Sequence, residues 1–357
     1  MAARLLLVGF RLLLLAFLVP FDARAQGIPI VPLKPVSARL RVEFTEISAV
    51  RELADGRVLV LDRKEQRLVV ADFGTDGVVP IGRTGSGPRE FRNAAALIAL
   101  TGDSTLLADV ENARWLLLNG ADIVATLPPM NVAIMQVYLA VPNGADRRGY
   151  VLSKRLRGRS AGAQDSVDLI LVERRTGRTE YVGAIRAHRD MPPVRPGADG
   201  RVFRVPLVGG EDAVLFSDGW VAIARIEPYR VDWRSPDGQW THGAPLPFTP
   251  VRMDVRERDA YVRTHQWARS LPVWPETAPA FDQFALLTAP SQLLVIARVP
   301  SADQPEARYD LVDHQGVPRG QIVLTGTDRL VGLGAAAAYV VTTDNDGIQR
   351  LQRHPWP

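Results

Sequence analysis

One pattern constrains this chain more than any other: a short β-rich run that recurs six times. "GRVLVLD" ends at Asp62, "STLLADV" carries its Asp at 109, and "GYVLSKR" has Lys154 in the same slot. "GWVAIAR" ends at Arg225, "QLLVIAR" at Arg298 and "AYVVTTD" at Asp344. The steps between slots are 47, 45, 71, 73 and 46 residues, so two units are longer than the others. A second apolar or alternating run follows each, such as "QRLVVAD" (66–72), "ARWLLLN" (113–119) and "RYDLVDH" (308–314). Asp-Gly and Gly-rich turns bound them, and helical periodicity is scarce. A unit of roughly 45 residues with several strands is the period of a propeller blade. A single blade cannot bury both faces of its sheet, whereas six blades around an axis bury each other.

The expected fold is therefore an all-β, six-bladed β-propeller over 39–357, with insertions near 187–210 and 251–280. An orphan strand, "RLRVEFTEI" (39–47), precedes the first unit, and the chain ends soon after the sixth. The expectation is that this N-terminal strand completes the last blade and closes the ring, with 26–38 as a linker.

The first 25 residues read as a secretory signal peptide. Arg4 and Arg11 precede the apolar "LLLLAFLVP" (12–20), and "ARA" (23–25) places small residues before a cut after Ala25. The apolar run is too short to span a bilayer comfortably. The reading is an exported chain, periplasmic or extracellular, with no stable membrane span after cleavage. The chain has no cysteine, which excludes disulfides, thiolate metal sites and a thiol nucleophile. Its hydrophobic content of 46% and charged content of 23% are ordinary for a soluble domain able to rely on its core alone.

Net charge is +4, and the signal region holds three Arg and one Asp, so the remainder is near +2. The only compact basic run is "SKRLRGR" (153–159). Near-neutral charge and export both oppose nucleic acid as a partner.

The glycine-rich "GRTGSGPREF" (82–91) lacks the Lys-Ser/Thr of a Walker loop and the third glycine of a dinucleotide fingerprint. Read structurally, Gly85 and Gly87 permit a tight backbone, Pro88 fixes the exit and Phe91 plugs the seam between two blades. This loop resembles the connector of the NHL-repeat family of six-bladed propellers, with Arg89 in place of the usual second glycine. The resemblance extends to a motif in which the second strand of a blade ends in Asp, followed by Asn and Arg. "DVENAR" gives Asp109, Asn112 and Arg114, and "DRKEQR" gives Asp62 and Arg67. "RIEPYR" keeps Arg230 but has Arg225 for the Asp, and "DNDGIQR" gives Asp344 with Arg350 displaced by one. The resemblance implies a scaffold role for these residues, with Asp and Arg pairing across the turn. The chain is also similar to exported propellers of environmental bacteria. Such folds host many activities, so none transfers with the fold.

Catalytic patterns are thin. The histidines at 188, 242, 265, 314 and 354 show no metal-ligand spacing, and no GxSxG elbow occurs. "TTDNDGIQ" (342–349) lacks the later acidic ligand of a calcium loop and reads as a hairpin turn. The slots read Asp62, Asp109, Lys154, Arg225, Arg298 and Asp344, a mixed ring. Three cations there oppose a dication and favour an anionic ligand, with Tyr229 beside them on the next strand. In the second insertion Asp254 could cap a short helix, and Tyr261, Trp267 and Trp274 could form an aromatic anchor. The functional expectation is a non-catalytic binding or scaffold module for a protein, a peptide or a small anion, with no cofactor. The alternative is a lactonase-like hydrolase or a lyase that uses one divalent cation in the central channel.

Overall fold

A computed structural model describes residues 28–127, 141–156, 166–186, 207, 209–271, 274–282 and 286–356. The signal-peptide reading, most of the first insertion and 157–159 of the basic run lie outside these residues. Among them are six antiparallel blade sheets, five of four strands and one of three, besides two two-stranded pairs. Inner strands of successive blades pack side by side, blade one against blades two and six, and blade five against four and six. The chain forms a six-bladed β-propeller.

Blade one shows how sequence produces the unit. Its strands are Ile47–Glu52, Val58–Asp62, Arg67–Asp72 and Gly77–Pro80, in that order from the axis outward. Every residue of Val58–Asp62 is buried. A middle strand is sandwiched between neighbouring blades on both faces, which is why it reads as a continuous β-branched and Leu run. The outer strand loses one neighbour and its residues are largely exposed. Apolar clusters fill the seams: Leu53, Leu59, Leu107, Leu116 and Phe91 between blades one and two, and Phe216, Tyr229, Trp233, Phe281 and Ile296 between four and five. Full burial of one such side chain is worth about 1.5–3 kcal/mol.

Ile47 pairs with Asp62, which pairs with Arg67. Inner strands thus start, second strands end and third strands begin on one face of the ring, here the upper face. Blade three has Tyr150–Leu156, Ser166–Glu173 and Thr179–Arg186. Its inner side is met by 143–146, where Ala145 bridges Val151 and Gly144 bridges Leu215 of blade four.

The N-terminal segment differs in detail from the sequence reading. Pairing with the last strand, Gln349–Pro355, involves Ala38 and Arg39, then Leu40 and a single bridge at Phe44. Ile47 instead begins the inner strand of blade one. The stretch read as a linker is laid along the rim. Pro29 and Val31 exchange backbone hydrogen bonds with Gln321 of blade five before the chain reaches blade six. Gly320 makes room for it, since a β-carbon there would strike the Val31 side chain. The segment 28–40 is therefore a strap across the outer edges of two blades.

Candidate functional site: the upper face and its insertion shelf

Every slot side chain on the upper face is neutralised from within the ring. Asp62 is fully buried, accepts from the Thr45 N–H at 2.7 Å and stands 3.8 Å from Arg67. Asp109 takes Arg114 Nε at 2.8 Å, Asn112 Nδ2 at 2.8 Å and the Arg92 N–H at 2.7 Å. Asp344 takes Arg350 at 2.9 Å. Blades three to five reverse the polarity. Lys154 Nζ donates to Asp212 at 2.5 Å, across the seam on the inner strand of blade four. Arg225 bridges Asp232 at 2.9 Å and Glu211 at 2.8 Å, and Arg230 also ends on Asp232 at 2.9 Å. Burial works to raise the Asp232 carboxyl, but Arg225, Arg230 and His242 outweigh it and hold the group below its ordinary value. Arg298 donates to Asp310 at 2.9 Å.

Two residues singled out from sequence come together here. The Arg298 guanidinium lies 5.0 Å from the Tyr229 ring centre and 4.9 Å from that of Phe248. The Tyr229 hydroxyl donates to Asp310 at 2.6 Å. Burial first, then the Asp310 charge, push the Tyr229 phenol well above its ordinary value. This network seals the seam between blades four and five. Lys154, Arg225 and Arg298 therefore each have a carboxylate already bound within the ring.

The loop 82–91 is occupied by its own anion. Gly87 N–H donates to Glu90 Oε2 at 2.7 Å and Arg83 Nε to Oε1 at 2.7 Å, which together hold the Glu90 carboxyl below its usual range. Gly85, at φ +155°, has no room for a β-carbon beside that carboxylate. Pro88 lies within the same loop. Arg114 closes it from below, donating to the carbonyls of Ser86, Gly87 and Glu90. Phe91, 1% exposed, is inserted into the seam between blades one and two.

The second insertion has a different electrostatic character. It leaves the upper face after blade four, and its two ends pair as Val251–Arg252 with Thr277–Ala278. Asp254 caps the helix Val255–Thr264 by accepting from the Glu257 N–H at 3.0 Å, as the sequence suggests. Glu257 in turn accepts from the Ala302 N–H at 2.8 Å, which ties the helix to the 299–306 loop of blade five. Met253, Ala278, Tyr261 and Trp274 form a small core that includes Leu207 of the first insertion. Tyr261 stacks on His265, with ring centres 4.2 Å apart, and meets Trp274 edge-on at 5.7 Å. Burial, with Asp282 adding to it, pushes the Tyr261 phenol up to about 12. The side chain of Trp267 lies outside the described residues.

Against this helix lies a concavity of about 450 Å³. Its lining includes Arg258, Arg263, Arg269, Asp259, Val262 and Trp274. Arg258 Nε donates to the Met253 carbonyl at 2.9 Å. Among the described residues none of the three arginines has a carboxylate within 4.0 Å. Sequence reasoning picked out the aromatic residues of this insertion and passed over its arginines. The available signal was spacing: Arg258 and Val262, and likewise Asp259 and Arg263, sit four apart and share a helix side.

No family model matches the sequence, and no curated protein does. Solved structures of like architecture align along most of the chain. A candidate exported protein of Bacteroides fragilis is 10% identical, with 92% of this chain and 98% of that one covered, at a TM-score of 0.49. Regucalcin, a calcium-binding protein of Agrobacterium tumefaciens, is 11% identical with 92% and 97% covered, TM-score 0.43. Virginiamycin B lyase of Staphylococcus aureus is 9% identical with 89% and 98% covered, TM-score 0.44. These likenesses concern the fold alone, and none of these comparisons shows the NHL-repeat family. Among the described residues no helix is long and apolar enough to cross a membrane.

Proposed function

We propose that this six-bladed ring is an exported, non-catalytic binding module whose recognition surface is the insertion shelf above blades four and five. One contrast carries the reading. The six slot charges of the upper face are all paired internally, whereas Arg258, Arg263 and Arg269 surround one concavity with no carboxylate partner among the described residues. Like charges gathered around a hollow repel one another, and an anionic ligand relieves that cost. Insertions on a rigid scaffold are the usual carriers of recognition. A hollow of about 450 Å³ falls in the size range of small-ligand sites.

The sequence alternative, a dication-dependent hydrolase or lyase working from the channel, would need converging acidic or histidine ligands. Among the described residues no group of three or more such side chains is placed to hold a metal. One experiment separates the readings. Residues 26–357 are unfolded thermally with inorganic phosphate, citrate, acetate or a hexaglutamate peptide, and in parallel with Ca²⁺, Mg²⁺, Mn²⁺ or Zn²⁺. A ligand at 100 times its dissociation constant that binds only the folded state adds about 2.7 kcal/mol. An anion-dependent rise, lost in the Arg258→Gln/Arg263→Gln/Arg269→Gln variant, is the expected result. A rise with one dication, reversed by EDTA, would overturn this reading in favour of the metal-dependent alternative, to be followed by lactone-hydrolysis and lyase assays.

A further inference from the structure

The same hollow holds more than charge, and its other walls narrow the ligand class; the step rests on the shelf being the recognition surface. Trp274 presents an indole to the hollow. That ring is set edge-on against Tyr261 at 86°, and Tyr261 is itself stacked within 8° of parallel on His265. Braced from behind by these two rings, the Trp274 indole is a flat wall fixed in advance, so a planar guest loses little of its gain to ordering the site. Val262 adds apolar surface beside the wall.

Charge sets the opposite limit. Three guanidinium groups offer forked donors matched to a carboxylate or a phosphate. Asp259 is part of the same lining. A dianionic phosphate or a run of phosphates brings extra negative charge towards that carboxylate, whereas a single carboxylate satisfies the arginines with the least repulsion. Asp259 can also accept from a hydroxyl or amine on the guest.

We infer that the hollow formed by Arg258, Arg263, Arg269, Asp259 and Trp274 is a binding site for a small monocarboxylate with an aromatic body. The carboxylate lies among the guanidinium groups and the ring lies on Trp274.

Calorimetric titration of residues 26–357 with 3-phenylpropionate, 3-(4-hydroxyphenyl)propionate, butyrate, phenethylamine and inorganic phosphate tests this. Expected is binding of both aromatic acids at least tenfold tighter than butyrate or phosphate, with no binding of the amine. Trp274→Ala should erase the advantage of the aromatic acids over butyrate, while Trp274→Phe keeps most of it. Arg263→Gln/Arg269→Gln should weaken all the acids, at unchanged circular dichroism. Phosphate or butyrate binding as tightly as the aromatic acids would overturn the inference and leave the anion-binding shelf standing. Aromatic acids that bind undiminished in both the tryptophan and the arginine variants would place their site elsewhere and overturn it too. Binding of none of these anions would sink both readings together.

Discussion

Arg114 spreads one guanidinium over the Asp109 carboxylate and three backbone carbonyls of the loop it closes. Asp109 is fully buried, so removing its cation leaves a charge with only hydrogen bonds for compensation. Arg114→Ala should cost about 3–5 kcal/mol, the range for breaking a buried pair. Arg114→Lys should recover little, because a point charge cannot reach four acceptors at once. Arg57→Ala, which breaks an exposed pair with Asp55, should stay within about 0.5 kcal/mol. Urea unfolding of the three variants checks this, and equal losses at Arg114 and Arg57 would remove the lock. The place of such residues is legible from spacing because the repeat fixes the register. Their counter-charges are less so. Lys154 finds Asp212 58 residues along the chain, across a blade seam, and only the assembled ring brings the two together.

At the scale of elements, the second insertion is the most independent unit. Its helix start was legible, since Asp254 three residues before Glu257 has a local meaning that no tertiary contact needs to supply. The side of the helix that lines the hollow was not, because arginines occur on more than one side and the decision belongs to the Glu257–Ala302 tether. The strap was hidden for a similar reason. A short Pro-bearing stretch carries no strand signal of its own, and Gln321 supplies the ladder. The insertion also has its own pH dependence. Below pH 10 the Tyr261 phenol is neutral in both the folded and the unfolded chain, and its contribution is complete. As pH rises through 10 the unfolded phenol, with an ordinary pKa of about 10, ionises first, while the folded one waits until about 12. Stability should therefore fall more steeply between pH 10 and 12 in the native protein than in Tyr261→Phe. Thermal scans of the pair across that window decide it, and parallel curves would contradict the burial of this phenol.

For the whole molecule, the longest-range strand pairing among the described residues is that of Ala38–Arg39 with Gln349–Pro355. Leu40 is fully buried in the cluster shared by blades six and one, and Ser37 bonds to the Arg353 carbonyl at 3.0 Å. Deleting 28–37 should lower the urea midpoint and speed unfolding while the ring still folds. Gly320→Val, aimed at Val31, should give a smaller loss of the same kind. In the deleted chain Gly320→Val should cost close to nothing, because the clash has lost its partner. Additive losses would show that the strap does not act through blade five.

That pairing has a cost in time. Ser37 and its partner Arg353 are 316 residues apart. At about 5–20 residues per second of synthesis, the first half of the seam waits roughly 16–63 s for the second to be made. Until Gln349–Pro355 is released, Ala337–Thr343 is left as an open strand edge in blade six and Ala38–Arg39 has no partner, the kind of edge that templates wrong pairing. A chain cut before Gln349 cannot fasten its own beginning, so the seam ties the integrity of one segment to that of another more than 300 residues away.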